Sequence, residues 1–517
     1  MVTAPHHLAA EAGLAVLRDG GNAVEAMVAA AATIAVVYPH MNAIGGDGFW
    51  LIHSPGADPI AVDACGGAGR AVDDALYAGL DAIPPRGPLA ANTVAGTISG
   101  WQAALDAASG WGSPLPLARL LEDAIHYAEN GFPLTGNQNG LTTSKLGELR
   151  DVSGFAETFL GDGSPPAPGT RYTNPRLGRT LRRLALDGLD GFYRGALARD
   201  IAGDLAAAGS PITADDLAGH AARMVAPLSV RLSVGTIHNL PPPTQGVASL
   251  MILALFERLG ITEADGFDFI HCLVEATKQA FLLRDAHVAD PDIMDVDPET
   301  WLKPDFLDER AQRIDRKRAL AWPRPSVPGD TVWLGAIDGA GRAVSFIQSV
   351  YWEFGSGVVL RDTGILWQNR GSSFALRDGR PNRLAPGRRP FHTLNPALAR
   401  LDDGRVMTFG TMGGEGQPQT QAAVFARHVL FGHDLQAAIT APRWLLGRTW
   451  GAETTTLKLE SRIDAEVISA LASAGHDVET VEPYSDMMGH AGALVRHADG
   501  RLEGASDPRS DGGVAAF

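Results

Sequence analysis

The chain has 517 residues, 45% of them hydrophobic and 20% charged, and a formal net charge of −16. That is the composition of a globular protein large enough to fold without a disulfide or metal staple. Its two cysteines, Cys65 and Cys272, form no C-x-x-C pair, which argues against zinc and redox motifs. The acidic balance disfavours nucleic acid or an anionic membrane as main partner, but a local arginine can still hold a small anion.

The N-terminal stretch MVTAPHHLAAEAGLAVLRDGG lacks a basic segment followed by an apolar one, so no signal peptide is expected. The longest apolar run, 26–38, is too short to span a bilayer, and the expected location is the cytoplasm. Apolar spacing predicts a helix over 8–19 ending at Gly20-Gly21. A second, alanine-rich helix is expected over 23–37, capped by Asn22 and stopped by Pro39. The run IGGDGFWLIH (44–53) reads as a glycine turn into a buried strand. Helical patterns follow over 115–131 and 175–208, with a loop at 161–169. NLPPPTQG (239–246) is a loop before a buried helix, and 268–286 is helical again. The proline-bearing stretch 318–330 reads as extended and mobile. After it, TVWLGAID and RAVSFIQSVY flank Gly339-Ala340-Gly341 as a hairpin, and 504–513 reads as a polar loop.

Thr331 follows Gly329-Asp330 at the start of the first hairpin strand. As a turn residue it would be unremarked. If the Asp330–Thr331 bond is cut, however, Thr331 carries a free α-amine beside its hydroxyl. Such an amine has a pKa of roughly 7.7–8.0 and serves as base for the nucleophile it adjoins. The same hydroxyl can make the cut by attacking the Asp330 carbonyl, forming an ester that water hydrolyses. A hydrolase built this way also needs backbone N–H groups for an oxyanion, and Gly413-Gly414 in TFGTMGGEGQ (408–417) expose such groups with no side chain in the way.

Motifs in order along nearly the whole chain resemble the γ-glutamyltransferase family. They include LAAEAGLAVLRDGGNAVEA (8–26), AVVYPHMNAIGGDGFWL (35–51), LPPPTQG (240–246), EATKQAFLLRDAHVADPD (275–292), TVWLGAIDGAGRAV (331–344), FGSGVV (354–359), GILWQN (364–369), TMGGEGQPQ (411–419) and GASDPRS (504–510). The resemblance implies an α+β fold, the four-layer αββα sandwich of N-terminal-nucleophile hydrolases. It also implies self-cleavage into a large chain, 1–330, and a small chain, 331–517, that stay intertwined as one structural domain, with a dimer of that pair as a further expectation. It makes Thr331 the nucleophile, Ser349 its supporting hydroxyl, and Gly413 and Gly414 the oxyanion glycines.

The departures bear on the substrate. The stretch aligned with the family's Asp-Gly-Arg-Glu is Asp63-Ala64-Cys65-Gly66, which loses the arginine that grips an α-carboxylate. The family's Asn-Gln-x-Asp-Asp becomes Asn369-Arg370-Gly371-Ser372-Ser373, which loses the aspartate for an α-ammonium and gains an arginine. The family's Ser-Ser pair is His392-Thr393. A pocket without an ammonium partner rejects α-amino acids, while Arg370, or Arg388-Arg389, can hold a carboxylate bidentately. Asn369, Arg370, His392 and Thr393 are therefore expected at the substrate, with Tyr38 and Asn42 as lining candidates. The segments YPHMN, QNRGSSF and FHTLNP are similar to the branch of the family that hydrolyses oxamate, the smallest amide bearing a carboxylate. Glutathione hydrolysis, γ-glutamyl transfer and β-lactam acylation are the alternatives on this scaffold, and an unprocessed binding protein is another. No cofactor or metal is expected: His6 and His7 are read as pointing apart on an extended chain, with nothing nearby to complete a ligand set, and IGGDG lacks the ending of a nucleotide loop. Trp333 and Trp352 are expected in the core or as pocket walls.

Overall fold

A computed structural model describes residues 1–322, 330–377, 379–447 and 455–517, with Asp330 described by its backbone alone. Two antiparallel sheets lie face to face. The first has seven strands in the order Gly513–Ala515, Val2–Ala4, Asp330–Ile337, Ala343–Tyr351, Asp47–His53, Ile60–Ala64 and Arg223–Val225. The second has six: Leu502–Ser506, Ala491–Arg496, Val406–Thr411, Ala397–Leu401, Gly235–Asn239 and Leu228–Leu232. Both sheets mix strands from before and after Thr331, so the two stretches of chain share one core.

Helices cover the two outer faces. Ala23–Val37 lies on the first sheet under His7–Arg18 and Glu122–Asn130, and every one of its residues is buried. Its alanines follow from this position: a helix enclosed on all sides needs side chains small enough for its neighbours to approach. Asn22 caps it through Val24 and Glu25, and Glu25 returns the bond in a capping box, as read from sequence. On the second sheet lie Gly246–Arg258 and Gly416–Phe425, with Phe267–His287 packed against both. This is the αββα order of layers.

Between the sheets Trp333 acts as a wedge, 2% exposed, with its indole N–H on the Ser345 hydroxyl at 2.9 Å. Gly410 and Gly492 on the opposite sheet face it, where a Cβ would come within 2.2 and 2.6 Å of the ring. The tryptophan thus sets the separation of the sheets two residues from Thr331, on the same strand.

The hairpin at 330–351 and the helices at 8–19, 23–37 and 268–286 lie where the pattern placed them, within a residue or two. Three readings change. The span 175–208 is three pieces, Pro175–Asp187, Leu189–Phe192 and Ala196–Ala208, because Gly188 and Gly195 break the helical path. The polar tail 504–513 is partly strand, because Asp507 and Arg509 are buried in an ion network and draw the flanking residues into both sheets. Of the stretch 318–330, residues 323–329 lie outside the described residues. Its first residues are held: the Ala319 N–H bonds Ala474, and Leu320 bonds the Glu275 carboxylate and accepts from Lys278. Among the described residues no helix is long and apolar enough to cross a membrane.

Candidate active site

Thr331 is fully buried at the second position of its strand. Opposite it the hairpin slips register: Gln348 pairs with Val332, but the next pair is Tyr351 with Asp330. Ser349 and Val350 therefore share the space facing Thr331, a β-bulge of the kind that re-aims side chains beside active sites. The Ser349 hydroxyl accepts the Tyr351 N–H at 2.8 Å. Tyr351 holds φ +84°, an unfavourable conformation for an aromatic residue that the surrounding bulge must maintain.

The Thr331 hydroxyl takes a hydrogen bond from the Gln417 side-chain amide at 3.3 Å. Gln417 stands in the first turn of Gly416–Phe425, just after Gly413 and Gly414. These glycines hold φ of +113° and +53°, which let the chain turn sharply out of Val406–Thr411 and start the helix. No acceptor among the described residues takes their N–H groups. Behind them, the Gln245 amide donates to the carbonyls of Gly414 at 2.9 Å and Thr393 at 2.7 Å. Arg284 holds Gln245 and Glu415 in turn, at 2.8 Å each. The glycine turn is thus fixed by a buried charged frame.

Arg370 is 1% exposed, and among the described residues none of its three guanidinium nitrogens has a hydrogen-bond partner. It lies flat over the Tyr351 ring, 3.9 Å from the centroid. Burial lowers its pKa to about 10, while Tyr351, Asp47 and Cys65 pull it back up. An unpaired buried cation of this kind is costly unless an anion completes it. Arg389, the other substrate-arginine candidate that is buried, is already engaged with Asp63 and Asp290 at 2.9 Å each. Arg388 donates to the Arg383 carbonyl. Of the three candidates, Arg370 alone is buried with no hydrogen-bond partner for its guanidinium among the described residues.

Asp47, Cys65 and His392 lie within electrostatic reach of Arg370, and these three and Thr393 are buried. Asp47 pairs with Ser349 across the sheet. Its Oδ1 accepts from the N–H groups of Gly66 and Gly96 and from the Gln368 amide. Its Oδ2 lies 3.2 Å from His392 Nε2, at an angle outside hydrogen-bond geometry. Burial pushes Asp47 up to about 7 and His392 well below its usual range, so His392 is neutral. The Cys65 thiol is raised well above its ordinary value by burial, then by Asp63 and Asp47, and is no nucleophile. The Thr393 hydroxyl has no partner.

Other expected lining residues brace loops instead. Asn369 uses both ends of its amide, on the Trp352 N–H and the Pro85 carbonyl. Asn42 ties Ile34 and Tyr38 to Gln348. Tyr38 packs on His40 with ring centroids 4.2 Å apart, in a cluster with His6 and His490. The His6 and His7 rings stack at 4.8 Å rather than pointing apart, because His7 already begins its helix. Among the described residues His271, Glu275 and His476 stand close enough to share an ion. They are joined instead to one another and to Lys278.

Asp47, Gln245, Arg284, Glu415 and Gln417 went unremarked in the sequence, although all five stand inside quoted motifs. A polar residue beside a glycine turn carries no local sign of what it will face.

Two facing sheets between helical layers, with a strand-borne threonine bonded by the helix that follows a Gly-Gly turn, give the N-terminal-nucleophile hydrolase fold. Residues 9–517 match the Gamma-glutamyltranspeptidase family, and the chain belongs to it. It is 57% identical to the oxamate amidohydrolase proenzyme of Klebsiella pneumoniae, over 100% of this chain and 98% of that one. It is 41% identical to the glutathione hydrolase-like YwrD proenzyme of Bacillus subtilis, with the same coverage. The solved structure of cephalosporin acylase from Bacillus halodurans superposes with a TM-score of 0.91 at 33% identity, covering 100% of this chain and 95% of that one.

Proposed function

We propose that the chain is the precursor of an amidohydrolase that cuts itself between Asp330 and Thr331 and then hydrolyses a small amide bearing a carboxylate, oxamate above all. The observation that carries the substrate class is Arg370: a fully buried guanidinium with no partner, beside the nucleophile's own bulge. The 57% identity to an oxamate amidohydrolase proenzyme supports the same substrate.

In maturation the Thr331 hydroxyl attacks the Asp330 carbonyl carbon and the peptide nitrogen is released as an amine. Water then hydrolyses the ester, leaving residues 1–330 and 331–517 in one domain. In turnover Arg370 pairs with the substrate carboxylate. The Thr331 hydroxyl, giving its proton to the α-amine, attacks the amide carbonyl carbon. The developing oxyanion meets the N–H groups of Gly413 and Gly414, and Gln417 and Ser349 keep the hydroxyl in place. The amine returns the proton to the leaving nitrogen, ammonia departs, and water cleaves the acyl-threonine ester to oxalate. No metal or cofactor enters these steps.

Asp47 favours a second reading, in which its carboxylate meets a substrate ammonium, as a γ-glutamyl compound would need. Against it, Oδ1 is already saturated, and burial holds the group near neutrality. Ammonia release by the matured protein, from oxamate and from a γ-glutamyl amide in parallel, separates the two. Release from oxamate alone supports the proposal; release from the γ-glutamyl compound alone refutes it.

A further inference from the structure

Resting on that reading, we infer that Asp47 is a proton-linked positioning residue: it and the substrate carboxylate compete for the one guanidinium of Arg370, so the anion binds together with a proton that Asp47 takes up from water.

Asp47 is fully buried, and its Oδ1 is fixed by three donors, so the carboxyl cannot swing away. Among the described residues its Oδ2 has no hydrogen bond; it lies 3.2 Å from His392 Nε2, which is likewise without one. Asp47 and Arg370 influence each other's charge without forming an ion pair: Arg370 lies over the Tyr351 ring, and the Tyr351 N–H is held by Ser349, the cross-strand neighbour of Asp47. The other titratable groups that face Asp47 do not neutralise it. His392 is neutral, Cys65 is a buried thiol, and Tyr193 is a buried phenol held in its neutral form. Arg389 stands nearby with its charge matched by Asp63 and Asp290.

Without ligand, Arg370 favours the ionised form of Asp47. When a carboxylate takes that guanidinium, Asp47 loses its counter-charge and meets a second anion in a low-dielectric site. Protonation to the neutral acid removes the conflict. Burial already brings its pKa to about 7 in the free site. By linkage, anion affinity is then highest below pH 7 and falls as pH rises above it, by up to tenfold per unit.

Calorimetric binding of oxamate and of oxalate to the matured protein, in buffers of differing ionisation heat, counts the protons taken up. Near pH 8 the expected uptake approaches one proton per anion. Asp47→Asn keeps an oxygen for Gly66, Gly96 and Gln368; it should abolish the uptake and flatten the dependence of affinity on pH. Uptake that persists in Asp47→Asn would assign the proton to another group, such as the Thr331 amine, and overturn the inference. So would anion binding with no uptake in the wild type. Ammonia release from oxamate by the same preparation tests the functional reading separately: proton-linked oxalate binding without turnover sustains the inference and removes the proposed reaction. If neither anion binds, both fall.

Discussion

Two buried arginine sites in this chain are built in opposite ways. At the end of the second sheet, Arg443 and Arg509 are enclosed with Asp507 and Glu460. Arg443 pairs with Asp507 at 2.6 Å and donates to the Gly489 carbonyl. Arg509 grips both oxygens of Glu460 and reaches Asp507 at 3.1 Å. Beside the bulge that faces Thr331, Arg370 is just as buried, yet among the described residues its N–H donors have no acceptor and the guanidinium lies over the Tyr351 ring. Both sites pay desolvation, but only the first recovers it within the chain. The proposed ligand role of Arg370 rests on this contrast with the internally matched Arg443–Arg509 cluster.

The largest expected effect lies at the nucleophile both readings depend on. Thr331→Ala should remain one species at full-chain mass under denaturing mass spectrometry and release no ammonia; fragments beginning at Met1 and Thr331 in that variant would refute self-cleavage by this hydroxyl. Next come the arginines, which should respond oppositely. Arg509→Met removes the fork from Glu460, leaving it, among the described residues, only the longer Arg462 contact and the Arg443 N–H, and should cost about 3 kcal/mol in denaturant unfolding. Arg370→Met removes an unmatched buried charge, so stability should hold or rise. It should instead raise KM for oxamate by about a hundredfold, in line with the loss of a buried charge-assisted contact. If Arg370→Met destabilises as much as Arg509→Met while binding is unchanged, the contrast is wrong. A smaller effect is expected behind the oxyanion turn: Gln245→Leu frees the carbonyls of Gly414 and Thr393 and should lower kcat by about tenfold, less than losing an oxyanion donor itself.

The pH dependence of stability sharpens the same contrast. Burial pushes Asp507 up, but Arg443 and Arg509 outweigh it, and its pKa lies below the ordinary value. Its contribution is present at neutral pH and is lost as pH falls through that lowered pKa. Asp47 has the opposite sign. Its pKa is raised to about 7, so the folded state binds the extra proton, and stability should fall as pH rises from about 4 to 7. Thermal unfolding across that range should show the fall in the wild type and not in Asp47→Asn. An equal slope in both would assign it to another group.

Much of the framework was legible locally. The capping box at Asn22, the alanine-rich helix, and the hairpin that carries Thr331 follow from spacing and turn residues within a few positions. The strands Ile60–Ala64, Arg223–Val225, Leu228–Leu232 and Ala397–Leu401 were not read, because short strands carry little period of their own and are defined by partners far along the chain. The site divides the same way. A threonine after Gly-Asp and a Gly-Gly turn can be recognised in a line of text, as can the exchange of a carboxylate for Arg370.

Which arginine stands free could not be read there. Arg370, Arg388 and Arg389 are equivalent as letters. Asp63 and Asp290, distant in sequence, meet Arg389 and leave Arg370 alone, 323 residues after Asp47 in the chain but beside it in space. Sequence by itself determined the main helices, the hairpin that carries Thr331 and the family. Tertiary structure decided which buried charges are matched, because charge compensation is a property of neighbours in space, and in this fold those neighbours come from both sides of Thr331.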